Sequence, residues 1–307
     1  MSEKAARTTI AFGVAGWSYP DWRTTVYRVP SGPVQPDLFG GIADRTERCV
    51  RDELAFLSSY VDMIEINSSF YRIPAASHAR SWCRRVESRA DFFFTAKLNS
   101  LFTHRFERDP AAAAAFRKGL RPLREAGLLR ALLVQFRYDV ADTPRVRRHV
   151  RWICQQFAAF SPLVFEFRHS SWETEAARHF LQDLGVSIAA LDYPAGNTGF
   201  RSLSDIGETG YFRLHGRNRR AWYARDASVE ETYNYDYNQV EIAQLADRSR
   251  AMSAQNKELI LVANNHYRGK ALSAALRLKA SLTGQKVSVP PALLETYPYL
   301  QSISDAE

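Results

Sequence analysis

Several short stretches of the chain place chemically capable side chains two residues apart. Glu65 and Asn67, Thr95 and Lys97, Gln135 and Arg137, Glu166 and Arg168, and Arg213 and His215 form such pairs, while Asp192 and Asn264 close two similar stretches. Side chains two apart on an extended strand point to the same face. If each stretch is a strand, these groups share one volume and the apolar residues between them face away. Three acids (Glu65, Glu166, Asp192) and three cations (Lys97, Arg168, Arg213) then meet in a confined space. Leaving any of them unpaired is costly, so they must bond one another or a ligand. The cations can stabilise developing negative charge. An acid can act as general acid or base, and His215 is the natural proton shuttle near neutral pH. Glu65, Lys97, Glu166, Asp192 and His215 are therefore the catalytic candidates. The competing expectation is a self-neutralising ion network that only fills space.

The elements that must position these groups are visible as runs of β-branched, aliphatic and aromatic residues. Eight such runs occur at 10–16, 61–67, 92–98, 131–137, 162–168, 186–192, 210–215 and 258–264. Their length and content suit buried parallel strands. Between them, segments at 44–58, 75–88, 110–126, 143–159, 172–184, 236–255 and 268–282 are rich in helix formers. Asp109-Pro110 and Thr143-Pro144 read as an N-cap followed by proline at the first helical position. Strands alternating with helices predict a parallel sheet sheathed by helices. Eight repeats predict closure into a single α/β domain over 1–307, a (β/α)₈ TIM barrel. Two connections, 17–43 and 216–235, are long and should emerge where the strand C-termini open, the end that carries barrel chemistry. They flank the eighth strand, so they are expected to wall one cleft.

Composition narrows the setting. The 307 residues include 46% hydrophobic and 24% charged, the balance of an ordinary globular protein. No apolar run approaches the roughly 20 residues that span a bilayer, and the start of the chain lacks a secretory pattern. Cys49, Cys83 and Cys154 are widely spaced and read as buried helix thiols in a reducing compartment. A cytoplasmic protein is expected. The net charge of +8 favours anionic partners. The basic run Arg145–Arg151 has helical spacing and reads first as a solvated helix face, second as a nucleic-acid stripe.

Motifs at the strand ends add a family likeness. Gly16-Trp17-Ser18-Tyr19-Pro20-Asp21-Trp22, Glu65-Ile66-Asn67-Ser68-Ser69-Phe70-Tyr71 and Phe94-Thr95-Ala96-Lys97 come first. Phe165-Glu166-Phe167-Arg168-His169 with Ser171-Trp172, then Arg213-Leu214-His215-Gly216-Arg217 and Asn264-Asn265-His266, follow in order. Together they resemble the YecE-like family, catalogued as domain of unknown function number 72, over nearly the whole chain. The resemblance implies a (β/α)₈ barrel and supplies no established reaction. Two departures stand out: Gln135 is followed by Phe136 where the family usually has proline, and Ala263 precedes the paired asparagines where phenylalanine is usual.

The expected function is an enzyme of hydrolase, lyase or isomerase type, acting by acid/base catalysis on an anionic substrate that carries phosphate or carboxylate. The loops after strands 7 and 8 offer Arg217, Arg219, Arg220, Arg268 and Lys270, with Gly269 near a helix N-terminus. Asn67, Gln135, Arg168, His169, Arg213, Asn264 and Asn265 are candidate polar contacts. Trp17, Tyr19, Trp22, Tyr71 and Trp172 are candidates to stack on a sugar or nucleobase ring. No cofactor is called for. Metal-assisted phosphodiesterase chemistry, with a divalent metal held by Glu166, Asp192, His215 and His169, is a lesser option, because the intervening cations would repel the ion. Two-carboxylate glycosidase chemistry fits poorly, since Gln135 and Arg213 stand where that barrel group has its acids. The alternative outside enzymes is a barrel that holds nucleic acid or an anionic ligand without transforming it.

Overall fold

A computed structural model describes residues 8–29, 48–195, 206–224 and 226–305. Eight strands, β1 (Thr9–Ala15), β2 (Met63–Ile66), β3 (Phe93–Lys97), β4 (Leu129–Gln135), β5 (Leu163–Glu166), β6 (Ser187–Asp192), β7 (Thr209–Leu214) and β8 (Glu258–Ala263), pair in sequence order. All pairs are parallel, and β8 closes on β1 with Thr9 opposite Glu258 and Val14 opposite Ala263. The fold is therefore a closed TIM barrel, with each strand within two residues of the run that predicted it.

Helices α1 (Glu53–Leu57), α2 (Ala76–Val86), α3 (Pro110–Glu125), α4 (Pro144–Phe157), α5 (Glu175–Asp183), α6 (Gln239–Ser253) and α7 (Lys270–Thr283) surround the barrel. Their starts are set by short-range chemistry. The Asp109 carboxylate accepts from the amides of Ala111 and Ala112, and the Thr143 hydroxyl from Val146. Asn238 and Glu241 form a reciprocal capping box on α6. Two expected helices are shorter than their sequence patterns. Of 44–58 only α1 is helical and 44–47 lie outside the described residues, while 172–184 opens with a 3₁₀ turn at Ser170–Glu173 before α5 begins. Of the long connections, 17–29 and all of 216–235 but residue 225 are described; the latter contains helical turns at Arg219–Tyr223 and Val229–Thr232.

Two apolar cores result. One lies between strands and helices, with Val14, Ile64, Phe94, Leu132, Phe165 and Phe212 facing outward. The other fills the lower lumen with Met63, Phe93, Leu133, Val164, Leu191, Ile260 and Val262. On β1 the lumen face is Ala11, Gly13 and Ala15. A Cβ on Gly13 would sit 2.0 Å from the Met63 carbonyl oxygen and 2.4 Å from its sulfur, so only glycine lets Met63 lie there.

The basic run expected on a helix falls in α4, where Arg145, Arg148 and Arg151 are exposed while His149 and Val150 are buried. This is a solvated face. Cys83 and Cys154 lie in helices as expected, but Cys49 sits in an isolated bridge to Arg28. Cys49 is thus not a helix thiol; it and Cys83 are only half-buried. No described helix is long and apolar enough to cross a membrane.

Candidate active site

Above the apolar floor the lumen turns polar, and the change of character occurs within single strands. On β2 it runs from Met63 to Glu65, on β5 from Val164 to Glu166, and on β7 from Tyr211 to Arg213. Arg213 organises this level. Its Nη2 donates to Glu65 Oε1 at 2.7 Å and its Nε to Glu65 Oε2 at 3.1 Å. Its Nη1 reaches across to Glu166 Oε2, with Gln135 Oε1 at 3.4 Å. Arg168 donates through Nε and Nη2 to the other Glu166 oxygen, at 2.9 and 2.7 Å. Below, the Tyr211 hydroxyl donates to Glu65 Oε2 at 2.9 Å and takes the Thr95 hydroxyl proton at 2.8 Å. Glu65 and Glu166 have no exposed surface, and Arg213 is 1% exposed. Burial alone would raise the Glu166 carboxyl; Arg213 and then Arg168 outweigh it and hold it well below the usual range. Both acids are paired through both oxygens.

Two further basic groups adjoin this network. His215 is fully buried, with Nδ1 3.0 Å from the Asn264 amide nitrogen and Nε2 3.6 Å from Glu166 Oε1. Nε2 also lies 3.4 Å from Arg213 Nη1, so the two ring nitrogens of His215 face the Asn264 amide and the Arg213–Glu166 pair. Burial first, and the Arg213 charge second, push its pKa well below the ordinary 6.5, so the ring is neutral. Lys97 ends β3 with its ammonium nitrogen 4.3 Å over the Phe70 ring. Among the described residues no hydrogen bond or ion pair reaches it. Burial, then Arg213, bring it down to about 7 against the pull of Glu65 and Glu166. Its charge and burial in turn hold nearby His104 at about 4, burial being the larger cause.

Aromatic rings from four loops surround the mouth. The Arg168 guanidinium lies 5.5 Å from the Trp222 ring and 6.0 Å from that of Tyr193. Trp222 also meets His215 at 5.9 Å and Tyr233 at 5.9 Å. Tyr233 meets His266 at 5.3 Å, and His266 stacks on Tyr19 at 4.4 Å. The loops after β1 and β7 thus meet over the loop after β8. Around them, Asn67 Oδ1, Asn265 Oδ1 and His266 Nδ1 are buried with no hydrogen-bond partner among the described residues.

Glu65, Lys97, Gln135, Glu166, Arg168, Arg213, His215 and Asn264 share one level of the lumen, with Asn67 and Tyr19 at its edge. Several other candidates lie elsewhere. Asp192 has the wrong parity: on β6 the lumen receives Leu191 and then Tyr193, so Asp192 points into the helix layer. There Arg217 grips it through Nε and Nη2 (3.0 and 2.8 Å) and Tyr237 donates to it at 2.8 Å. Arg217 is consumed outside the barrel in the same way, because Gly216, at φ +86°, turns the chain outward directly after His215. Arg137 is exposed and paired with Asp139. Trp172 is fully buried, stacked 3.9 Å on Phe167 with its Nε1 donating to the Val140 carbonyl. Trp22 is equally buried and donates to the His266 carbonyl at 2.6 Å. Trp17 packs edge-on against Trp82, Tyr71 is 76% exposed, and His169 bonds the Ser171 hydroxyl at 2.8 Å. Asn265 donates to the Tyr235 carbonyl in the β7 loop.

The loop cations do not converge. Arg219, Arg220 and Arg268 are exposed, and Lys270 bonds Asn234. The imagined metal set does not assemble either, since Asp192 and His169 are elsewhere and both Glu166 oxygens are held by arginines. Among the described residues no three His, Cys, Asp or Glu side chains form a metal-holding group.

Sequence reading missed Tyr193, Tyr211, Phe70, Trp222 and Tyr233. Tyr211 shares parity with Arg213 on β7 and was legible by the same rule, whereas Tyr193 follows β6, which is buried on both sides and gives no alternation to read. Trp222 and Tyr233 sit in an aperiodic loop that carries no such signal.

The family model described as "Protein of unknown function DUF72" matches residues 11–296. Among curated proteins, UPF0759 protein YunF of Bacillus subtilis (strain 168) is 24% identical over 260 residues, covering 80% of this chain and 92% of that one. A DUF72 family protein from Thermotoga maritima MSB8 superposes with a TM-score of 0.71 at 24% identity, over 90% of this chain and 99% of that one. Another from Enterococcus faecalis V583 gives 0.74 at 24% identity, over 90% and 96%. At this identity the structural likeness speaks to the fold.

Proposed function

The chain belongs to the DUF72 family, and from the arrangement of its lumen we propose an enzyme that binds a small anionic substrate above the Arg213 network and moves a proton with Lys97. The observation that carries this reading is a surplus. Two acids are already matched by two arginines, so Lys97 is a third cation with no carboxylate among the described residues. Arg168 spends Nε and Nη2 on Glu166, which leaves Nη1 beside the mouth. A carboxylate or phosphate placed between Lys97 and Arg168 would complete the charge balance through charge-assisted hydrogen bonds.

The proton-transfer role follows by elimination among the groups of the lumen. Glu166 is held ionised by arginines and His215 is held neutral, so neither changes state near pH 7. Lys97, at about 7, does. The test is thermal unfolding in increasing phosphate, sulfate and small carboxylates, for the parent chain and for Lys97→Met and Arg168→Met. Saturable stabilisation by one anion class, weakened on the order of tenfold in affinity by either substitution, is expected. Anion effects identical in all three proteins would overturn it. So would oligonucleotide binding with a steep salt dependence and no small-anion site.

A further inference from the structure

Lys97 is more than a cation waiting for a counter-ion. Resting on the anionic-substrate reading above, we infer that Lys97 is a nucleophile that forms an imine with an aldehyde or ketone whose carbonyl lies beside a carboxylate or phosphate.

Three features of the surroundings point this way. First, nothing neutralises the amine by pairing. Both Glu65 oxygens are bonded by Arg213 and Tyr211, and both Glu166 oxygens by Arg213 and Arg168. A lysine built to act as a structural counter-ion would hold one of these carboxylates. Second, its neighbours favour the uncharged amine. Across the β3–β4 pair it stands opposite Leu133, it lies over Phe70, and two guanidiniums are nearby. Burial together with adjacent positive charge is a recognised way to expose the lysine lone pair near neutral pH. Third, the amine sits at the end of a barrel strand, so its base is rigidly placed. The free edge of Arg168 can hold the anionic group of the same substrate.

The step balances without an oxidant or reductant. The Nζ lone pair forms a C–N bond to the carbonyl carbon as the C=O π pair moves to oxygen. The oxygen takes the proton that nitrogen sheds, giving a neutral carbinolamine. A second proton, from solvent, lets the hydroxyl leave as water while the nitrogen pair closes the C=N bond. The product is a cationic iminium, over the face of Phe70, which can accept an electron pair from the neighbouring carbon. Its substrates are thus compounds in which a C–H or C–C bond next to a carbonyl is made or broken.

The groups facing Lys97 are Glu65 from β2, Glu166 and Arg168 from β5, Arg213 and His215 from β7, and His104 from the turn after β3. With Glu166 held ionised and His215 held neutral, the pH response of trapping is that of the lysine itself.

The experiment is reductive trapping on the full chain. Pyruvate, glyoxylate and dihydroxyacetone phosphate are offered separately, each followed by sodium borohydride, intact-mass measurement and peptide mapping. The expected result is one adduct per chain, at Lys97, with one of the three compounds. Its yield rises with a midpoint near pH 7 as the amine deprotonates. Lys97→Arg abolishes the adduct while keeping the parent melting temperature within a few degrees. Arg168→Met still forms it, at a half-saturating concentration on the order of tenfold higher. Which compound reacts tells a carboxylate neighbour from a phosphate one. Scattered labelling that follows lysine exposure, or equal labelling of Lys97→Arg, overturns the imine. If anions stabilise the chain yet no adduct forms, the covalent step alone fails; if neither occurs, the anionic-substrate reading fails with it.

Discussion

Two arginine–carboxylate clusters lie on opposite faces of the same stretch of barrel wall, and they are built for different ends. Outside, Asp192 is bound by Arg217 and Tyr237, Arg217 also reaches Glu241, and Glu241 accepts from Tyr235 and from the Asn238 amide. The Tyr237 hydroxyl in turn accepts from the Gly216 amide. Each of these groups has a partner, and the effect is to fasten the loop after β7 to the start of α6. Inside, Arg213 and Arg168 match Glu65 and Glu166, yet Lys97 remains over. A closed cluster holds a loop. An open one, with a half-buried basic group left unpaired among the described residues, is poised for a ligand.

The sharpest way to break this contrast is Arg213→Met. Two buried carboxylates would lose their shared partner, a loss of about 3–5 kcal/mol by analogy with other broken buried pairs. Urea melts should show it, and acid should reveal its origin. In the parent chain Glu166 ionises well below its ordinary 4.5, so its stabilisation is present above that value and drains away as pH falls. The variant should show a much flatter acid limb below about pH 4.5, and an unchanged limb would refute the pairing as its cause.

A smaller effect is expected outside the wall. Asp192→Asn removes one charge from a partly exposed cluster and should cost about 1–3 kcal/mol. Anion affinity in the lumen should stay as it was, as calorimetric titration would show. A lumen that loses its ligand along with Asp192 would mean the two clusters are one.

Lys97→Met should change stability least, by about 1 kcal/mol or less at pH 7, or even raise it, because a poorly solvated amine is exchanged for an apolar side chain of similar length. The sign of its pH dependence is fixed. The unfolded chain holds the lysine proton up to about the ordinary 10.5, the folded chain only to about 7. Between those values the unfolded state binds more protons, so the parent gains stability over the variant as pH rises through this window. Paired melts at pH 7 and 9.5 give the answer; a constant difference would place the lysine's pKa at its ordinary value.

How far these groups were legible in the sequence depends on what lay between them. On β2, β3, β5 and β7 the polar residues alternate with Ile66, Ala96, Phe167 and Leu214, so parity assigns the faces without a structure. On β6 the run Ser187–Leu191 is buried on both sides, alternation carries no information, and Asp192 was assigned to the wrong face. Trp172 was misread for a different reason. The 3₁₀ turn at Ser170–Glu173 folds its ring back onto Phe167, and no local pattern announces that packing. Trp222 and Tyr233 were invisible because a loop has no period. The strands and the family were plain, since eight buried runs and six ordered motifs each constrain the fold many times over.

Gly13 gives the lumen its lopsided shape. A single added carbon there would collide with the β2 backbone two residues before Glu65, so a position close beneath the acid can carry no side chain at all. A survey of variants that scored positions by their chemical groups would pass over it. Chemistry on one side of this barrel depends on atoms that are missing from the other.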